Sequence, residues 1–312
     1  MRAGGLPRYA LGTGGLPVAE GPSGGDTAAE VIALAIECGL NWIDTASLYQ
    51  RGRAEGAVGR ALRGRPRDSF LLSTKTGYVM NEATVAAMVI PDPRVVRYPP
   101  QDFGYDATMR SLERSFERLG VEHVDIVFLH APTAAHLGEI ESGAMPALEE
   151  LVKAGKIGAI GAGMVDVSDA TAVTTAFPLD YLMIAGHYTL LVRDAAEELF
   201  ACCAARGTGV IAAAVFNSGL LADPHQALPR FNYAPADAAM IERAGQLEDV
   251  CRSFATPLRA AAVQFPLRHP FVASTVIGPR SVHELRDTLA MIGYPVPAAL
   301  WETLDRVTSP LV

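Results

Sequence analysis

Four polar side chains stand where apolar runs of this sequence stop. Asp44 closes LNWID, Tyr49 follows in TASLYQ, Lys75 closes FLLSTK, and His130 closes VDIVFLH. At the carboxyl ends of successive strands, a carboxylate, a phenol, an ammonium and an imidazole would meet at one mouth of a parallel barrel. That is the face where barrel chemistry sits. A free phenol has a pKa of about 10; a contacting ammonium favours the phenolate, and a carboxylate keeps the ammonium charged and in place. The imidazole can then orient a carbonyl or hydroxyl oxygen. The product is a general acid/base that gives a proton to an alkoxide, or takes one from an alcohol, as hydride moves. The same residues also allow His130 as the acid/base, with Tyr49 as a binding group.

Taken singly, each residue has a plainer reading. Asp44 in DTAS can cap a helix, Tyr49 can pack as an amphipathic aromatic, and a strand-end histidine is commonly structural. Lys75 resists. The chain has three lysines, and Lys153 and Lys156 fall in the turn-like VKAGKIG. Lys75 alone ends a buried-looking strand, where a cation needs a partner or a task.

The elements that would carry these groups alternate. Apolar runs at 41–44, 70–75, 124–130, 157–161, 181–184, 210–214 and 272–277, with a shorter one near 9–12, read as strands buried on both faces. Helical patterns lie between them. Asp26 and Asp106 are placed to cap helices, Asp194 with Glu197 and Ser281 with Glu284 have capping-box spacing, and Gly39, Gly120 and Gly207 suit left-handed ends. Eight strand–helix units predict a closed (β/α)8 TIM barrel, as one domain over residues 1–312, rather than a doubly wound sheet. Segments 77–105 and 216–235 are too long for plain connections and are candidate walls of a substrate site. The Gly/Pro-rich start, from Gly5, suggests a short hairpin over the barrel's closed end.

Composition agrees with a soluble barrel. Half of the 312 residues are hydrophobic and 19% are charged, so a large core is available and disorder is not expected. A net charge of -8 without a basic stripe argues against nucleic acid. The N-terminus has neither a secretory nor a transit pattern, and no apolar run reaches the roughly 20 residues that span a bilayer. Cys38, Cys202, Cys203 and Cys251 form no CxxC or zinc-like spacing, so no metal is called for and a reducing, cytoplasmic compartment is expected. Composition leaves a monomer and a small homo-oligomer equally open.

The run GLNWIDTASLYQRGRAEGAVGRAL, from Gly39 to Leu62, resembles the segment of the aldo-keto reductases that carries their catalytic Asp and Tyr. STKTG, the run from Ser111 to Pro132 and the run from Leu151 to Met164 resemble that family's Lys, His and fifth-strand segments, in the same order. The resemblance covers essentially the whole chain. It implies Tyr49 as general acid/base, Asp44 and Lys75 as its tuners, and His130 as the group that orients the substrate oxygen. It also implies the (β/α)8 barrel, a small-molecule substrate, and NADP or NAD bound at the barrel mouth without a GxGxxG turn. Phe103 and Phe231, on the two long segments, join Tyr49 and His130 as candidate substrate contacts.

Several positions depart from the family pattern. Many members carry Ser-Asn after the fifth strand and Gln after the sixth; here those places read Gly163-Met164 and Ala185-Gly186. The aromatic after the seventh strand is Ala213, with Phe216 nearby as a replacement. FNSGLL keeps the loop expected to cradle a pyrophosphate with backbone N–H groups, through Asn217, Ser218, Gly219 and Leu220. After the eighth strand, Gly278, Arg280, Ser281, Glu284 and Thr288 resemble the adenosine-phosphate segment, and its helix start would favour an anion. GAGM, HYTLL, FNSGLL and FNYAPA resemble the aldose 1-dehydrogenase branch (L-fucose and D-threo-aldose types), with pyridoxal 4-dehydrogenase in the same group. That branch implies oxidation of a cyclic hemiacetal to a lactone. An aldehyde or ketone reductase, a Schiff-base aldolase built on Lys75, and a non-catalytic cofactor sensor are the alternatives.

Overall fold

The computed structural model describes residues 5–18, 27–88, 98–232 and 234–308. Eight parallel strands close into a barrel. They are β1 (Tyr9–Gly12), β2 (Trp42–Asp44), β3 (Leu71–Thr76), β4 (Val124–His130), β5 (Ile157–Met164), β6 (Tyr181–Ala185), β7 (Gly209–Ala213) and β8 (Val272–Ile277). Each pairs with its neighbours in order, and β1 closes the ring against β8 and β2. The chain is therefore a (β/α)8 barrel, and it enters through β1 directly: the hairpin expected over the closed end is absent among the described residues. A ribbon of Arg230–Phe231 against Ala234–Pro235 is the remaining sheet among the described residues.

Side chains of a strand alternate between two faces, and here that rule decides where the chemistry sits. Trp42, Leu71, Ile126, Phe128, Ala159, Tyr181, Met183, Ile211 and Ala213 fill the lumen, while Ile43, Leu72, Val127, Leu129, Ala162, Leu182 and Ile184 pack outward under the helices. Stepping two or four residues along from the lumen set reaches Asp44, Lys75, His130, Gly163 and Ala185. Ala213, itself a lumen residue, ends its strand beside them. The top layer of the barrel thus combines three chemical groups with three small residues. Below it the lumen is full. A Cβ on Gly161 would come within 2.6 Å of the Phe128 ring, so a glycine there makes room for that ring. Truncating Phe128 to Ala would cost about 3–5 kcal/mol.

The helix starts obey the sequence in part. Ser281 accepts a hydrogen bond from the Glu284 amide as cap of Val282–Ile292, and Gly120 and Gly207 end their helices at φ 66° and 71°. Asp106 does not cap: the helix Tyr105–Leu119 begins two residues before the start that cap would set, after Gly104, and places Asp106 in its first turn, where the helix dipole still favours it. Asp194 and Glu197 form no capping box either; the helix starts at Glu198, and Asp194 bonds His187 instead. Asp26 lies outside the described residues. Both long segments leave the mouth face. The first holds a short helix, Glu82–Ala87, and returns through a bridge between Tyr78 and Gln101.

Candidate active site

Lys75 Nζ, 2% exposed with its residue, donates to Asp44 Oδ2 at 2.6 Å and to the Thr45 carbonyl at 2.9 Å. The nitrogen also lies over the Tyr49 ring, 4.7 Å from its centroid. Burial pulls the ammonium down, but Asp44 and then Tyr49 outweigh it and hold Lys75 above its ordinary value. The cation is permanent at physiological pH.

Asp44 is held in turn. Ser73 Oγ donates to its second oxygen at 2.7 Å, and Trp42 Nε1 donates to Ser73 Oγ at 3.0 Å. The relay fixes the carboxylate independently of the lysine. Trp42 and Ser73 each sit two residues before a member of the site, so strand periodicity already placed them on the same lumen face.

Tyr49 and His130 keep part of their surface, whereas Asp44 and Lys75 are sealed. The two rings meet edge to face with centroids 5.8 Å apart. Gly14 backs the phenol, since a Cβ there would stand 3.4 Å from the Tyr49 ring. Burial raises the Tyr49 pKa, Lys75 opposes it, and the outcome stays above the ordinary value. The expectation that Lys75 would depress Tyr49 below a free phenol is corrected: desolvation wins, and the group is a phenol in the free protein. Burial, and then the Lys75 charge, hold His130 well below its ordinary value, so the imidazole is neutral. Its buried Nδ1 has no hydrogen-bond partner, and a neutral imidazole offers one N–H and one lone pair.

Three contributors on one segment escaped the sequence. Tyr78 stacks on Tyr98, centroids 6.1 Å apart, and meets His130 edge-on at 5.0 Å; Gln101 Nε2 clamps the carbonyls of His130 and Ala131 at 2.8 and 3.0 Å. All three lie on the first long segment, which had been expected to form a wall but with no side-chain direction. Glu55 is a further one. Fully buried, it accepts from Thr74 Oγ1 at 2.5 Å and pairs with Arg118 at 2.6 Å, tying the helix after Tyr49 (Arg53–Leu62) to the strand of Lys75.

The other expected site residues divide. Gly163 faces the lumen, where a Cβ would stand in ordinary contact with Lys75 Cε at 3.6 Å; a side chain would fit, and its absence leaves an open floor. Met164 points outward into the helix layer. Phe103 is fully buried against Gly77 and edge-on to His136, so it packs the wall and offers the mouth no surface. Phe231 is half-buried on the ribbon. In FNSGLL, the amides of Asn217, Gly219 and Leu220 already donate to Ala214, Phe216 and Asn217 carbonyls, and Leu220 is buried. That cradle is therefore less free than a list of backbone donors suggests; Phe216, Ser218 and Gly219 are its half-buried members. Gly278 and Arg280 are exposed, Ser281 and Glu284 partly so, and Thr288 is 8% exposed. Glu284 accepts from the Arg280 backbone N–H at 2.8 Å and from its Nη2 at 2.9 Å.

The eight-stranded barrel thus carries a buried Lys–Asp pair, a phenol and a neutral imidazole at its mouth. The chain matches the aldo/keto reductase family over residues 9–309 and belongs to it; it is an NAD(P)-dependent oxidoreductase acting on CH–OH groups. It is 35% identical to a D-threo-aldose 1-dehydrogenase from a Pseudomonas species, over 89% of this chain and 87% of that one. It is 32% identical to pyridoxal 4-dehydrogenase of Microbacterium luteolum, over 96% and 94%. The fold matches an aldo-keto reductase from Bacillus halodurans, solved in its holo form, with a TM-score of 0.75 at 20% identity over 97% and 92% of the two chains. Among the described residues no helix is long and apolar enough to cross a membrane, and no group of His, Cys, Asp or Glu is arranged to hold a metal.

Proposed function

We propose that the protein oxidises the anomeric hydroxyl of a cyclic hemiacetal, a sugar of the L-fucose or D-threo-aldose type or a pyridoxal-like ring, to a lactone. The observation that carries the reading is the Tyr49 phenol, still reachable from the mouth, set over the buried Lys75–Asp44 pair and beside the neutral His130. The two curated relatives, both named as dehydrogenases of such compounds, support the substrate class.

The open floor at Gly163, Ala185 and Ala213 fits a flat ring, and Phe216, Ser218, Gly278, Arg280, Ser281 and Glu284 would hold the remainder of the dinucleotide. When bound, the nicotinamide supplies the acceptor for the hydride from the anomeric carbon. Tyr49 takes the hydroxyl proton, so the C–O bond gains carbonyl character as the C–H bond breaks. Lys75 stabilises the phenolate that this requires, and Asp44 keeps the ammonium aimed. His130, neutral, donates its N–H to the substrate oxygen and fixes the reacting carbon. Tyr78 and Tyr98 offer aromatic faces of the kind that sugar and pyridine rings stack on. For the adenosine end, the Arg280–Glu284 pair favours NAD: Arg280 is already neutralised, and the carboxylate repels a 2′-phosphate.

The assay mixes the protein with L-fucose, D-arabinose, L-galactose and pyridoxal, each with NAD and NADP, and follows absorbance at 340 nm. Cofactor reduction with at least one of them is expected. No reduction by any, together with oxidation of the reduced cofactor by simple aldehydes, replaces the lactone-forming reading with that of a carbonyl reductase.

A further inference from the structure

Outside the barrel, a cleft of about 80 Å³ opens between the helix Tyr105–Leu119 and the start of the segment after β3. Arg110, Arg114 and Arg118 line it from the helix, with Ser111 beside them, while Ser47 and Gly77 lie at its inner end. We propose that this cleft binds a phosphate group, as the free ion or carried on a small phosphomonoester.

Residues four apart in a helix share a face, so three guanidiniums are stacked along one side of it. Arg118 is committed, since it pairs with buried Glu55 at 2.6 Å and donates to Ser115 Oγ at 3.2 Å. Arg110 and Arg114 are exposed and make no hydrogen bond or ion pair among the described residues. Like charges at this spacing destabilise a helix by a few tenths of a kcal/mol per pair, a cost that a bound dianion would remove. Asp102 also lines the cleft, but its Oδ1 accepts from the Gly104 amide at 2.9 Å. With Arg118 and Glu55 cancelling, two guanidiniums face one carboxylate and the cleft stays positive, in a chain whose net charge is -8. Guanidinium forks match phosphate oxygens in pairs, and the Ser111 hydroxyl adds a neutral donor. Room for several waters suits one tetrahedral ion and excludes a polymer.

The place matters for the rest of the molecule. Ser47 stands two residues before Tyr49 and donates to the Lys75 carbonyl at 3.4 Å, and Gly77 stands two after Lys75. A phosphate here would brace the outer side of the wall that carries both.

The test is calorimetric titration of potassium phosphate into protein saturated with reduced dinucleotide, against potassium chloride at equal ionic strength, with glucose 6-phosphate as a second arm. Saturable heat is expected with phosphate, and at least a tenfold loss of affinity in the R110Q/R114Q double variant. These side chains are exposed, and circular dichroism confirms that the variant folds. Tighter binding of glucose 6-phosphate identifies a phosphomonoester ligand; equal or weaker binding identifies the free ion. R280Q should leave the affinity unchanged. Heat no larger than with chloride, unchanged affinity in R110Q/R114Q, or a loss in R280Q instead would each overturn the proposal, and the readout does not depend on turnover of any substrate.

Discussion

Lys75 Nζ lies 2.6 Å from Asp44 Oδ2 with both side chains at most 3% exposed, an ion pair that sits at the top of a lumen filled mainly by apolar side chains. Two charges taken out of water at such a point repay their desolvation only when their remaining hydrogen bonds are also met. Here Ser73 serves Asp44, the Thr45 carbonyl serves Lys75, and the Tyr49 ring lies against the ammonium as a cation–π partner. The site is consequently stiff where it is hidden and open only at the phenol and the imidazole.

Asp44→Asn tests that pair. The amide keeps the shape and can still accept from Ser73, but it leaves the Lys75 ammonium without a counter-charge. A loss of about 3–5 kcal/mol is expected, the magnitude for breaking one side of a buried pair. Urea unfolding measures it, and a loss under 1 kcal/mol would show that Lys75 discharges freely in the folded protein.

Tyr49→Phe removes one oxygen from a ring that keeps its contacts with Gly14 and His130. Turnover should fall by about 10²–10⁴-fold, the usual contribution of a positioned acid/base. Dinucleotide affinity, read by protein fluorescence, should change less than threefold. Retained turnover would transfer the proton step to His130, the alternative that residue types alone left open.

Much of this site is legible in the chain because strand periodicity and strand ends are local properties. Asp44, Lys75 and His130 could be placed on one mouth, and Trp42 and Ser73 follow from a step of two. What was not legible depends on balance or on long-range geometry. The sign of the Tyr49 shift is a competition between burial and Lys75, and a sequence says that both act without saying which is larger. Gln101 reaches His130 across 29 positions. Asp106 and Asp194 show a further limit: each has a capping residue's chemistry, yet Gly104 sets one helix start and His187 claims the other carboxylate.

The pH dependence follows from the direction of the Tyr49 shift. In the proposed mechanism oxidation needs the Tyr49 phenolate, and burial holds the folded pKa above that of a free phenol, with Lys75 the main opposing influence. The deprotonated fraction therefore grows as pH rises, so kcat/KM for oxidation should climb through the alkaline range while the reverse reduction declines there. Lys75→Met removes the opposing charge and should move the rising limb to higher pH, as well as lowering the rate at pH 8. A limb that stays in place would separate Lys75 from the titrating group.

The proposed preference for NAD is tested at a single carboxylate. Burial pushes the Glu284 carboxyl up, but hydrogen bonds and charge from Arg280 outweigh that and keep it below its ordinary value, so it is ionised at neutral pH. The pair is largely exposed and worth little to stability, which lets it change without disturbing the helix that Ser281 caps. As it stands, a 2′-phosphate seeking Arg280 must displace one carboxylate and then remain beside it. Glu284→Gln keeps the size and the acceptor oxygen for the Arg280 amide while freeing the guanidinium. The ratio of kcat/KM with NADP to that with NAD should rise roughly tenfold, about 1.4 kcal/mol of discrimination, with the NAD value itself changing less than threefold. An unchanged ratio would mean that the adenosine 2′ position lies away from Arg280, and that cofactor preference is set elsewhere on the mouth.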